Sequence, residues 1–388
     1  MTAIKQLLKI LLLNAMVFFL LFVVFELGIR LIAPQNLRVD PENSHVSFDF
    51  TFRPKPGFSE VVQRTERVVR WDINSRGLRD NEISYEKPSD IFRILGLGDS
   101  FTFGFHVEQE ETFLHQLELL LNQQTGLDST LGPKQFQTIN MGVGGHGMVA
   151  AQHLLQKEGL KYSPDMILTA VFVGNDVGES LAEFDRRESF AGNSSTNGEA
   201  VSWIYDSEGK PLSWRVLKFL GANLHSYVFL TTRLNMLMVR YKLVRVNEAT
   251  IDILRKQQGE AMQAGWLRLQ EPLLDIQATT DTLGLQNLVL IIPLRHQVDE
   301  EEWQTLSEAY QLDTESFSLD QPQQILGEFL QQQNIDYIDL LPLLRASEQK
   351  AYYDKDPHFN ALGHRITAEA LRQYLLQKIA SGDLAIQQ

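Results

Sequence analysis

The sequence predicts an α/β protein: a parallel sheet with helices on both faces, preceded by a membrane-anchoring helix. Three observations predict it. From Ile91 onward, apolar runs of strand length alternate with segments whose apolar residues recur at helical spacing. One run, DMILTAVFVG from Asp165, is continuously apolar, as a strand covered on both faces must be. Small and polar residues gather just past the ends of these runs, the edge where open α/β sheets bind ligands. The chain has 388 residues, 44% hydrophobic and 22% charged, enough for a sizeable core. Its net charge of −14 repels phosphate backbones, so nucleic acid is not an expected partner. With no cysteine, there is no disulfide, thiolate metal site or cysteine nucleophile, and the compartment stays open on that count.

The N-terminal 1–33 reads as a transmembrane anchor. Ile10 to Phe25 is apolar except for Asn14, and the character continues to Ile32 around Glu26 and Arg30. A helix needs about 20 apolar residues to cross the hydrocarbon core. Glu26 and Arg30, four apart, can pair on one helix face. Lys5 and Lys9 precede the run, which keeps the N-terminus cytoplasmic and places the rest outside. No small-x-small site follows, which weighs against a cleaved signal peptide. The expectation is a single-pass protein of the inner (cytoplasmic) membrane with its main domain on the periplasmic side.

Residues 34–90 form a juxtamembrane β-rich segment. Val61 to Ile73 has strand character, and NSRGLRD after it is a turn signature, so a small hairpin is expected and no chemistry. The main domain is 91–388. Its strands are FRILGLG, FQTINMG, DMILTAVFVG, NLVLIIPL and IDYIDL; its helices lie around EETFLHQLELLLNQQ, MVAAQHLLQKEGL, PQQILGEFLQQQ and ITAEALRQYLLQK. Between about 178 and 283 the alternation breaks, which reads as an insertion, either a lid or an extra packing layer.

Each strand end carries a candidate. Gly98-Asp99-Ser100 ends the first, Asn140 and GVGGHG follow the second, Gly174-Asn175-Asp176 ends the third, PLRHQ the fourth, and DKDPHFNALGH lies past the fifth. Acyl transfer needs these parts: a serine whose proton a base removes, a histidine as that base, an acid to orient it, and fixed donors for the oxyanion.

In these blocks the chain resembles the SGNH (GDSL-type) hydrolases. GDSFTFG resembles their first block and implies Ser100 as nucleophile. NMGVGGHG resembles Asn-x-Gly-x-x-Gly and implies Gly145 as an oxyanion donor beside the Ser100 N–H. GND implies Asn175 as the side-chain donor, and DPHFNALGH implies His358 as the base. The resemblance implies a flavodoxin-like three-layer α/β/α fold and covers Ile91 to Val177 and Asn287 onward. The usual Asp-x-x-His is altered, because Lys355 stands where the acid would be. Asp356 is taken as the orienting acid, with Asp354 or a backbone carbonyl as alternatives.

Competing patterns are weak. Gly142-x-Gly144-x-x-Gly147 spells a dinucleotide fingerprint, but no acid falls at the end of the next strand. Asp354, Asp356, His358 and His364 lack metal-ligand spacing, so no metal and no cofactor is expected. Arg295, His296 and His146 are possible substrate-pocket residues; His153 reads as helix surface, His364 as part of a helix start, and Asp99 as a brace of its turn. The resulting expectation is a membrane-anchored extracytoplasmic serine esterase acting on a glycan or lipid ester, with an O-acyltransferase or a non-catalytic module on the same fold as alternatives.

Overall fold

The computed structural model describes residues 2–35, 44–64, 66–123, 135–192, 212–240 and 249–384. Most of the polar run AGNSSTNGEA lies outside them. The chain divides into two units, Met1–Asp40 with Asp206–Val246, and Pro41–Tyr205 with Asn247–Gln388.

The larger unit holds two hairpins and a sheet. Strands β1 (His45–Phe48) and β2 (Thr51–Pro54) pair antiparallel, as do β3 (Ser59–Gln63) and β4 (Val68–Asp72). The sheet comprises β5 (Ile91–Gly98), β6 (Gln135–Gly142), β7 (Met166–Phe172), β8 (Gln286–Ile292) and β9 (Tyr337–Asp339), all parallel, in the order β6-β5-β7-β8-β9. This is the flavodoxin-like order. It reverses direction between β5 and β7, so their carboxyl ends border the crevice where such sheets bind ligands.

The reversal also assigns the helices to layers. Right-handed crossovers that step in opposite directions place their helices on opposite faces. The helix Phe113–Asn122, between β5 and β6, packs with the terminal helix Ala361–Ser381; Met148–Lys157, Asp176–Gly192 and Glu260–Leu283 pack together on the other face. Covered on both sides, β5 buries Ile94, Leu95 and Leu97 completely. Gly96 in the same strand admits the Leu114 side chain: a Cβ there would lie 2.5 Å from its Cδ1.

One expectation changes. Glu260–Leu283 is not inserted material; it is the β7–β8 crossover helix and buries Leu269, Leu273 and Ile276 in the core. Asp176–Gly192 likewise continues this unit. Only Asp206–Val246 leaves it. In 34–90 the expected hairpin is β3–β4, and β1–β2 is a second one. Val62, Val69, Trp71 and Ile73 form an apolar cluster with Phe58 and Phe103, which brings the β3–β4 hairpin against the short helix Ser100–Phe103.

In the smaller unit the N-terminal helix runs Thr2–Ile32 and is followed, after Asp206, by helices Leu212–Asn223 and His225–Arg240. The stretch Lys9–Ile32, 24 residues, is long and apolar enough to cross a membrane.

Candidate active site

The strand β5 ends at Gly98, whose φ of +151° brings the backbone against β7; a Cβ there would lie 2.3 Å from Thr102 Oγ1 and 2.9 Å from the Ala170 carbonyl. Asp99 then caps the helix Ser100–Phe103, accepting the Phe101 N–H at 2.9 Å, as expected of a turn brace. Ser100 is thereby held at the first helical position over the crevice.

His358 arrives from 258 residues away, with Nε2 2.7 Å from Ser100 Oγ. Its Nδ1 lies 2.5 Å from Asp356 Oδ1, which also accepts the His358 backbone N–H at 3.2 Å. Asp356, not Asp354, meets the imidazole: Asp354 is exposed and faces Lys350 at 3.7 Å. Lys355 points its backbone N–H at Glu66 Oε1, 2.6 Å away, so the altered spacing still turns Asp356 inward. Phe101 and Phe105 pack their rings 5.0 and 5.8 Å from that of His358 and fix its plane.

Burial pushes the Asp356 carboxyl up, but the hydrogen bond and charge of His358, with His106, outweigh burial and hold it below the usual carboxylate range. Asp99 goes the other way: complete burial raises it, only partly countered by the Phe101 N–H and by His358. Asn175 Nδ2 donates to Asp99 Oδ2 at 3.4 Å, and Ser100 Oγ lies 3.5 Å from the same oxygen, so Asn175 stands beside the serine. On the other side, a Cβ on Gly144 would come 3.7 Å from Ser100 Cβ; Gly145 follows with φ +81°, a left-handed conformation that suits glycine. The structure therefore gathers Ser100, Asn175, His358 and Asp356, with the Gly144–Gly145 turn alongside.

Of the three possible pocket residues, His146 follows Gly145 in the glycine turn, and Arg295 and His296 follow β8. His146 is fully buried, its Nε2 2.7 Å from the Phe52 carbonyl and 3.0 Å from Thr51 Oγ1, and burial lowers its pKa to about 3. It joins β2 to the glycine turn. Arg295 donates to the carbonyls of Tyr353 and Asp354 and pairs with Glu302 at 2.7 Å, bracing the segment that leads to Asp356. The cavity it lines, about 280 Å³, is bounded by Lys350, Tyr353 and Asp354 and not by Ser100 or His358. His296, mostly buried beside Arg295, has its pKa lowered to about 4 by that burial and then by the arginine's charge. His153 pairs with Asp49 at 2.8 Å. His364 lies in the first turn of the terminal helix, its backbone N–H 3.2 Å from the carbonyl of the cap residue Asn360; its side chain is buried and accepts the Phe113 N–H, tying that helix to Phe113–Asn122.

Three residues have no counterpart among the sequence expectations. Arg79, fully buried, donates to the carbonyls of Phe103 (3.1 Å), Gly104, Val107 (2.7 Å) and Arg70 (2.9 Å), locking the end of the serine's helix. His106 places Nε2 3.3 Å from Asp356 Oδ1, so one carboxylate oxygen meets two imidazoles. Glu183 accepts the N–H groups of Gly147 (2.8 Å) and Ala150 (2.9 Å), capping a helix whose own cap residue is a glycine. None carries a local motif; the signal for Arg79 was an arginine in a turn beside apolar strands. As for a metal, His106, Asp356 and His358 bring donor atoms within 4.8 Å of one another, and those atoms already bind each other.

Comparison with known proteins bears on the fold. Residues 254–388 match the family model described as the SGNH hydrolase-like domain of acetyltransferase AlgX. No curated protein matches significantly. Among solved structures, a lipolytic protein of the G-D-S-L family from Desulfitobacterium hafniense is 9% identical, with 72% of this chain and 98% of that one covered and a TM-score of 0.37. The acetyl xylan esterase AlAXEase is 12% identical, covering 73% and 100%, with a TM-score of 0.39. A catalytic mutant of an acetylxylan esterase from Geobacillus stearothermophilus is 12% identical, covering 74% and 94%, with a TM-score of 0.38. The family match is confined to residues 254–388, the stretch that carries β8, β9 and His358, and there the chain is similar to an SGNH hydrolase-like domain.

Proposed function

We propose that this protein is a serine acyl-transfer enzyme, a membrane-anchored extracytoplasmic esterase that works through an acyl-enzyme. The observation that carries the reading is the chain of contacts from Ser100 Oγ through His358 to Asp356. His358 Nε2 takes the Ser100 proton as Oγ attacks an ester carbonyl, and Asp356 holds Nδ1–H and stabilises the imidazolium. The Ser100 and Gly145 N–H groups and the Asn175 amide receive the oxyanion. The protonated His358 then gives its proton to the departing alcohol, and an incoming hydroxyl, deprotonated by the same nitrogen, releases the acyl group. The apolar helix Thr2–Ile32 anchors the domain in the inner membrane, facing the periplasm, where glycan and lipid esters are accessible.

The acceptor distinguishes two readings. Water makes the protein an esterase; a sugar hydroxyl makes it an O-acyltransferase of an envelope polysaccharide. The family description over 254–388 names an acetyltransferase and favours keeping the second. A fluorophosphonate should label the detergent-solubilised chain, and Ser100→Ala should abolish both labelling and short-chain aryl ester hydrolysis. Removal of a triad member costs up to about 10⁶ in kcat in a well-studied serine protease. Retained activity in Ser100→Ala would refute the site. Acylated product on adding a glycan acceptor marks the transferase; free acid alone marks the esterase.

A further inference from the structure

The N-terminal helix does not end bare. Glu26, on its last turns, is nearly fully buried. Its Oε1 accepts Arg30 Nε at 2.6 Å and the His225 N–H at 3.1 Å, and its Oε2 accepts the Ser226 N–H at 2.8 Å. His225 and Ser226 open the helix His225–Arg240, so Glu26 meets the unsatisfied donors and positive end of that helix. Arg30 Nη2 donates to the Asn223 carbonyl at 2.9 Å, the last residue of the preceding helix, Leu212–Asn223, where the dipole is negative. Gln35 N–H completes the joint at 2.8 Å from His225 Nδ1. The turn between the two helices is thus tied to the outer end of the apolar one by both members of an ion pair.

That joint sets a depth. About 20 residues cross the hydrocarbon core, so a span entering near Lys9 reaches the far interface near Glu26 and Arg30. The two helices that meet at this joint expose apolar side chains. Leu230, Leu234 and Leu237 lie at i, i+4 and i+7, one face of His225–Arg240; Val216, Leu217 and Phe219 are exposed on its partner. In the outer leaflet they reach acyl chains, while Thr231, Thr232 and Arg233 remain beside them for the headgroups.

We propose that Leu212–Asn223 and His225–Arg240 form a hairpin lying in the outer interface of the bilayer, its leucine face inserted among the acyl chains and its turn held at that depth by Glu26 and Arg30. The occupant of the apolar face is lipid, because the face is continuous with the joint at the end of the apolar span. The proposal rests on the reading of Thr2–Ile32 as a membrane span, and its test separates the two.

The chain has no cysteine, so one introduced cysteine takes one fluorophore. Full-length Leu234→Cys, Phe219→Cys, Leu20→Cys and Leu119→Cys are labelled with an environment-sensitive dye and reconstituted in phosphatidylcholine–phosphatidylglycerol vesicles. Each variant is first shown to melt like the parent protein. Nitroxide lipids carry the quencher either near the headgroup or near the chain end. Leu20 reports the span, and Leu119 an exposed leucine of the sheet unit. The expected result is several-fold stronger quenching at 234 and 219 by the shallow nitroxide than at 119, with 20 quenched best by the deep one. If 234 and 219 behave like 119 while 20 is quenched, the span stands and the hairpin proposal is overturned. If 20 is not quenched, the span reading fails and takes the proposal with it.

Discussion

Arg79→Met removes the guanidinium that holds the carbonyls of Arg70, Phe103, Gly104 and Val107. Methionine fills much of the volume but donates nothing. Where both partners of a buried ionic pair can be replaced by apolar groups, the exchange is often neutral. Here the partners are backbone carbonyls and remain. Each buried acceptor left without a donor costs about 1–3 kcal/mol, and the guanidinium's own desolvation, which pushes its pKa down to about 10, offsets part of the sum. The net expectation is about 3–5 kcal/mol, the range found when one partner of a buried charge pair is removed. At about 2–3 °C per kcal/mol for a domain of this size, that lowers the melting midpoint by roughly 6–15 °C. Arg79→Lys keeps the charge and up to three donors and should fall between. The assay is a thermal melt of the full chain in detergent, with fluorophosphonate labelling at a temperature where the variant is folded. Labelling should slow as well, because the loosened carbonyls belong to the serine's helix and the loop after it. An Arg79→Met midpoint within ~1 °C of the parent, under about 0.5 kcal/mol, would refute the claim that these bonds hold the helix of Ser100 in place.

His106→Leu should lower kcat for aryl ester hydrolysis about tenfold with KM unchanged, the worth of a hydrogen bond to a charged group, and His106→Gln, which keeps an N–H donor, should recover most of it; a change confined to KM would place His106 in substrate binding. Gly142→Ala should destabilise by about 3 kcal/mol or more by overpacking, because its Cβ would meet Phe103 N at 2.3 Å, whereas Gly178→Ala, with nothing within 4 Å, should be neutral or slightly stabilising; equal melts would sink the packing argument. Burial raises Glu179 to about 8 and Glu183 to about 7, so the folded state keeps protons that the unfolded chain releases above the ordinary carboxylate range. Their contribution is complete at acid pH and is lost as pH rises from about 4.5 to about 8; Glu179→Gln should flatten the fall of the melting midpoint over that window, and an unchanged slope would contradict it.

The sheet was legible because its signal is local: continuous apolar runs make strands covered on both faces, and glycines with polar residues at their ends mark the crevice edge. Ser100, Asn175, His358 and Asp356, which the resemblance to the family blocks implied, are residues that the structure brings together, each near a strand end or a helix start. The crossover helix Glu260–Leu283 was hidden by Pro272 in its middle, which removes a donor and ordinarily breaks a helix. His146 looked like a pocket residue because the β1–β2 hairpin that buries it lies about 95 residues away in sequence. Arg79 and His106 were invisible for a related reason. Their partners are backbone carbonyls without residue identity, or an acid 250 positions further along.

The separation of Ser100 from His358 by 258 residues has a consequence for how activity is acquired. Domains fold vectorially as the chain emerges, and contacts between distant segments form slowly because the intervening loop must close first. The strand that leads to Ser100 is interior to the sheet and early in the chain, yet His358 rides on the connection between the last strand and the last helix. Every strand must be ordered before the proton acceptor reaches the hydroxyl. A chain arrested or truncated before Asp356 would thus carry a finished strand end and an inert serine, and reactivity toward esters would appear only with the completed fold.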